Sequence, residues 1–209
     1  MSNNAATATA ATSKNGVRRL AFLAVLAAVV IVLQAAVVIP VGPFTITLTL
    51  VPIIIGAILF GPAGGAILGG IFGIVVVIQV ITGAAGAFST MMLQQHPAAT
   101  IIICILKGLL AGVVAALFFK LFSKINFYAG VLLAAIIAPI INTGIFSIAC
   151  LTIFRELVSG ALGGPSNLFM VFLTTFIGIN FLVEFVINVA LTPIIIRIIR
   201  AARKDIAQG

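Results

Sequence analysis

Apolar runs of about 20 residues, with the ionisable side chains gathered at their ends, take up most of this chain. A run of that length matches the thickness of a bilayer's hydrocarbon layer. In such a layer only a helix or a closed barrel can satisfy every backbone N–H and C=O. Composition points the same way. Of 209 residues, 63% are hydrophobic and only 7% charged, and mean hydropathy is +1.42. Soluble domains carry about 25% charged residues, so a water-soluble fold is excluded. The expected fold class is an all-α membrane protein, a bundle of six transmembrane helices with the N- and C-termini cytoplasmic.

The breaks between runs define the expected organisation. The first span covers Arg18 to Ile39 and stops at Pro40-Val41-Gly42-Pro43, where two prolines around a glycine cannot continue a helix. A second starts near Thr47 and closes at Gly61-Pro62, and a third covers Ala63 to Ile81. Thr82 to Pro97 is too polar and glycine-broken to span and reads as a loop with a short interfacial helix. The fourth span runs from Ala98 to Phe122, the fifth from Phe127 to Phe154 and the sixth from Leu168 to Ile199, with Arg155 to Asn167 as a loop. Residues 1–17 are Ala/Thr-rich without hydrophobic periodicity and read as a disordered cytoplasmic leader. Residues 18–204 form a single membrane domain and 205–209 a cytoplasmic tail.

The formal charge of +8 is distributed as a topology signal. Lys14, Arg18, Arg19, Lys120, Lys124, Arg197, Arg200, Arg203 and Lys204 fall at the termini and the fourth-to-fifth turn, while the opposite loops hold only Arg155. Basic residues mark the cytoplasmic side, so both termini are expected inside. Clusters at span ends are not the continuous basic surface of a nucleic-acid binder. The two cysteines, Cys104 and Cys150, lie inside apolar runs without metal-ligand spacing and read as small packed residues.

Gly61, Gly65, Gly69 and Gly73 recur every fourth residue, and Gly108 and Gly112 repeat the spacing. Ridges of small residues let helix backbones approach closely where lipid supplies no hydrophobic drive. Ala24 and Ala28 make the same spacing in the first helix, as an internal contact or as a flat face for a partner's helix.

Lys107 and Glu184 are the ionisable residues deep in expected spans. Each costs about 3 kcal/mol to insert unpaired, so each requires a partner. Two readings stand: they pair and tie the fourth helix to the sixth, or Lys107 faces an outward cavity and meets an anionic or carbonyl-bearing ligand. Asn180, Glu184 and Asn188 form a stripe on one helix face, and Asn142, Thr143 and Ser147 mark the fifth helix. Gln94, Gln95 and His96 lie in the third loop, where they could close over a solute.

No nucleotide-binding loop, HExxH, GxSxG or pair of carboxylates at catalytic spacing is present, and no cofactor is expected. An internal repeat of the inverted-repeat transporter kind is not evident either. A self-sufficient secondary carrier or channel using Lys107 and Glu184 as an ion relay remains the rival reading, and a purely structural scaffold a third.

One stretch carries a family resemblance. It starts with Ile39-Pro40-Val41-Gly42-Pro43 leading into Ile46-Thr47-Leu48-Thr49-Leu50-Val51-Pro52. Gly56-Ala57-Ile58-Leu59-Phe60-Gly61-Pro62 and Gly65-Ala66-Ile67-Leu68-Gly69-Gly70 follow. This run, with the six-helix layout over residues 18–204, resembles the substrate-binding S components of energy-coupling-factor (ECF) vitamin transporters. The resemblance implies a subunit of the prokaryotic cell membrane that binds a vitamin-like solute at its outer face. It also implies docking to a transmembrane coupling subunit that bears two ATPase subunits, which hydrolyse the ATP. In that family the first helix docks through an AxxxA pattern, here Ala24 and Ala28. The solute-binding positions it implies draw on Lys107, Asn142, Thr143, Asn180, Glu184, Gln94 and His96. No Trp and one Tyr argue against a site built on stacking a flavin or thiazolium ring. A flexible carboxylate-bearing vitamin such as pantothenate fits one lysine and several amides better.

Overall fold

The computed structural model describes residues 3–36, 39–41, 44–46, 48–161 and 178–207. Helix α1 runs from Asn3 to Ala36, reaching back through residues the sequence assigns to a leader. After it come β1 (Ile39–Val41) and β2 (Phe44–Ile46), paired as a short antiparallel ribbon with Ile39 opposite Ile46. Then come α2 (Leu50–Ile81), α3 (Ala87–Gln95), α4 (Pro97–Phe122), α5 (Phe127–Thr152) and α6 (Arg155–Ala161). α7 (Gly178–Ala190) and α8 (Thr192–Ala207) complete the described elements. The start of the expected sixth span, from Leu168, lies outside the described residues.

Four helical segments are long and apolar enough to cross a membrane: Gly16–Ala36, Leu50–Ile81, Pro97–Phe122 and Phe127–Thr152. Phe181–Ala190 and Thr192–Asp205, bent by 50°, form a fifth if counted as one span. Large apolar side chains stand exposed on these helices, among them Ile67, Ile74, Ile102, Leu117, Ile148 and Val186. In water such a surface would drive association; against lipid it is the expected exterior.

α2 is not one straight rod. Gly61 has φ 74° and ψ −164°, outside helical space, and is followed by Pro62. In a straight helix Gly56 and Leu68 would stand about 18 Å apart. Here a Cβ on Gly56 would run into the Leu68 side chain, and one on Gly65 would lie 3.1 Å from Ala57 Cβ. Residues 50–60 and 62–81 therefore fold back on each other as a helical hairpin, with its tip at the Gly61-Pro62 break that the sequence marks. The first limb is about 16 Å long, the second about 30 Å.

The second limb packs on α4 with almost nothing between the backbones. A Cβ on Gly65 would strike the Gly112 carbonyl, one on Gly69 the Gly108 carbonyl, and one on Gly73 would lie 2.5 Å from Ile105 Cα. The partners run antiparallel in register, so the two glycine ridges interlock along the seam. Gly61 serves the turn rather than the ridge, since nothing lies within 4 Å of a Cβ built there.

Contacts between elements sort the bundle into two ends. Arg18 Nη1 donates to the Asp205 carbonyl at 3.1 Å, placing the start of the first candidate span beside α8's last turns. Arg19 lies over Phe60 at the hairpin tip, and Arg200 and Arg203 lie over Phe127 in the first turn of α5. These four arginines thus gather at one end. At the other end a buried clasp ties α1 to both limbs of the hairpin. Thr49 Oγ1 donates to Gln34 Oε1 at 2.9 Å, Gln34 Nε2 to Gln79 Oε1 at 2.8 Å, and Gln79 Nε2 to the Gln34 carbonyl at 2.8 Å.

The main core joins α1, α2, α4, α5 and α8 through Val30, Ile54, Leu68, Ala115, Val131 and Ile195. A second cluster, Phe88, Met92, Ile103, Cys150, Phe154 and Val158, seats α3 and α6 on the halves of α4 and α5 away from the basic end. The interfacial helix expected within Thr82–Pro97 is therefore α3. Part of the expected loop from Arg155 onward is helical as α6, because Val158 is wholly buried in that cluster.

Candidate functional site

Lys107 occupies the middle of α4, ten residues from Pro97 and so about 15 Å below that end. Its neighbour Gly108 belongs to the glycine seam, so the lysine projects from a different face of the helix. There its ammonium lies 5.7 Å from the centre of the Phe72 ring, on the second limb of α2, and 5.2 Å from that of Phe146, on α5. Each ring face attracts a cation by about 0.5–2 kcal/mol, and together they offset much of the lysine's insertion cost. Neither ring carries a net charge or accepts a conventional hydrogen bond. These two contacts by themselves leave the ammonium able to meet an anion.

Asn142 stands one helical turn before Phe146 on the same face of α5. It is 8% exposed, and its Oδ1 has no hydrogen-bond partner among the described residues. A buried acceptor in that condition costs about 1–3 kcal/mol, which a donor supplied by a solute or water would recover. Thr143 follows it, half-buried, and Ser147 donates to the Thr143 carbonyl at 2.6 Å.

α7 packs against α5 and β2 and presents the polar stripe read from the sequence. Glu184 and Asn188 are buried, at 6% and 2% exposure. Asn188 Nδ2 donates to the Glu184 carbonyl at 2.7 Å, while its Oδ1 has no hydrogen-bond partner among the described residues. Asn180 lies in the first turn of α7, and its side chain is outside the described residues.

Gln94, Gln95 and His96 are exposed at the α3–α4 junction. The His96 ring meets Phe154 edge-on, with centroids 5.8 Å apart, and its carbonyl accepts from the Thr100 amide and hydroxyl. These residues sit about 15 Å above Lys107. They can share a ligand with it only if that ligand is extended or the α3 end moves inward. Ala24 and Ala28 are both exposed on the outside of α1, among exposed Leu20, Val25 and Val32, and form no internal seam.

Sequence reasoning missed Phe72 and Phe146, which hold the lysine from two other elements. It also missed the Gln34–Thr49–Gln79 clasp. A signal for the clasp was present, since Gln34 and Gln79 are isolated amides near the ends of apolar runs.

Long helices with apolar exteriors and buried amides between them define a multi-pass membrane protein. The family model for the ECF transporter substrate-specific component matches residues 18–196, most of the chain, and the protein belongs to that family. It is therefore a transport subunit and not a catalytic one. No curated protein matches the chain.

Proposed function

We propose that this subunit captures a water-soluble vitamin or vitamin precursor at the outer face of a prokaryotic plasma membrane, with pantothenate as the favoured solute. The observation that carries the proposal is the pairing of complementary needs. Among the described residues Lys107 is a cation met by the Phe72 and Phe146 rings, and Asn142, one turn from Phe146, is a buried acceptor whose Oδ1 has no hydrogen-bond partner. A solute with a carboxylate at one point and hydroxyl or amide N–H groups at another serves both. Pantothenate has that chemistry, while a flat ring system would find one Tyr and no Trp to stack on. In this reading Thr143 and Glu184 add polar groups to the site, Asn180 joins them from its place on the same stripe of the sequence, and Gln94 and His96 would close over an extended solute by an inward movement of the α3 end.

The membrane arrangement that goes with this reading has six crossings, the two limbs of α2 counting separately and α7–α8 as the bent sixth. The basic end of the bundle faces the cytoplasm by the positive-inside bias. The exposed Ala24–Ala28 face of α1 meets the coupling subunit, whose two ATPases drive release of the solute.

Thermal melting of the purified protein against a panel of B vitamins and precursors tests the solute, because a ligand bound only by the folded state raises the melting temperature. Stabilisation by pantothenate, lost in Lys107→Ala, is expected. A shift with another vitamin that also needs Lys107 replaces the solute and keeps the site. No shift with any compound overturns the binding role. For docking, Ala24→Leu and Ala28→Leu should leave solute binding intact and abolish ATP-dependent uptake; unimpaired uptake removes the assignment.

A further inference from the structure

Away from that site, a groove of about 600 Å³ opens on the side of the bundle between the start of α5 and the break between α7 and α8. The break follows from sequence. Pro193 has no N–H to give the Val189 carbonyl, and the two helices meet at 50°. Residues on both sides of the bend, Val189 before it and Thr192, Pro193 and Ile196 after it, form one wall, and Ala129 and Leu132 form the other. The walls are apolar except at one end. There the groove meets Arg197, Arg200 and Tyr128, all exposed. None of the described residues lining it is acidic.

Arg200 is already positioned. Its Nη2 donates to the Tyr128 hydroxyl at 2.6 Å, and its guanidinium lies 4.9 Å from the centre of that ring. A planar guanidinium has five N–H donors, so this contact orients the group without exhausting it. The Tyr128 hydroxyl keeps its own hydrogen to donate. Arg197 stands one turn away.

We propose that this groove binds an anionic phospholipid of the leaflet at the basic end of the bundle. The phosphate rests on Arg197 and Arg200 with the Tyr128 hydroxyl, and an acyl chain lies along Leu132, Val189 and Ile196. The two halves of the groove select this ligand together. A free phosphate has no use for the apolar walls, and a zwitterionic lipid would leave two arginines without net compensation. The basic cluster lies where an anionic headgroup layer attracts juxtamembrane arginines.

Native mass spectrometry of the full chain in detergent tests this with dioleoyl phosphatidylglycerol, dioleoyl phosphatidylcholine and glycerol phosphate as probes. Phosphatidylglycerol should be retained in clear preference to phosphatidylcholine, and glycerol phosphate at equal concentration should not displace it. Arg197→Gln should weaken retention about fivefold, the worth of one arginine at an anionic surface. Leu132→Trp, which fills the groove from a partly exposed position, should weaken it independently. Both variants should melt at the parent temperature, since neither side chain is buried. Equal retention of the two lipids, displacement by glycerol phosphate, or unchanged retention in either variant overturns the proposal.

Discussion

Lys107 and Gly108 are adjacent on one helix and touch the same phenyl ring, yet they belong to opposite kinds of interface. A Cβ on Gly108 would lie 2.5 Å from both the Gly69 carbonyl and Phe72 Cδ1, whereas Lys107 extends a long charged side chain past the Phe72 ring towards α5. On one side of α4 the helices meet backbone to backbone and tolerate no added volume. On the other they are spaced by side chains whose polar atoms are incompletely bonded among the described residues. Stability in a bilayer comes from close packing and interhelical hydrogen bonds rather than from water. The glycine side can therefore secure the bundle while the polar side is left to chemistry.

The harshest test of that division is Gly69→Leu. Four added carbon atoms have only the Gly108 backbone to displace, so the hairpin must separate from α4. Overpacking of this kind commonly costs about 1–3 kcal/mol, and more against backbone, so loss of the monodisperse folded protein in size-exclusion chromatography is expected. Gly70→Ala, one residue along with nothing within 4 Å, should behave as the parent. A well-folded Gly69→Leu variant would show that the seam is not what secures the bundle.

A smaller effect is expected at the clasp that closes the open end of the hairpin. Gln34→Leu strands the buried Thr49 Oγ1 and takes the donor from Gln79 Oε1, while Gln79 Nε2 keeps the main-chain carbonyl of residue 34, at a cost of about 1–3 kcal/mol. A melting temperature lowered by several degrees, with solute affinity unchanged, would sharpen the comparison. Loss of affinity instead would extend the polar side across to α1. Smallest is Phe146→Leu, which removes one of the two rings over Lys107. Calorimetry should record solute binding weakened a few-fold, within the range of about 0.5–2 kcal/mol for a cation–π contact, and no loss of folding.

Much of the scaffold was legible because its signals are local. The Gly61-Pro62 break, the four-residue glycine period and the Pro40–Pro43 stop each describe what one stretch of backbone can do, and each reappears as a turn, a seam or a ribbon. The glycine ridges even identify each other by sharing a period. Thr192-Pro193 was equally local, but the apolar residues on both sides read as a single span and hid the bend. The site was less legible, for a different reason. Lys107 and Asn142 stand out as polar residues in apolar runs, but Phe72 and Phe146 are two phenylalanines among 16. Only the packing of three elements shows which rings meet the ammonium. The α6 turn escaped because Val158 forms helix by burying itself under Phe154, a tertiary effect that an Arg-Glu start obscures.

The interlocked carbonyls of the seam also have a mechanical meaning. Two helices in contact through side chains can slide by small rotamer adjustments, but ridges of glycine meshed against one another have only registers one ridge apart, about 6 Å along the axis. Residues 62–81 and α4 must consequently travel as one stiff lever. Any tilt imposed on this subunit while it carries its cargo would turn that pair as a unit and concentrate the bending at the Pro193 break.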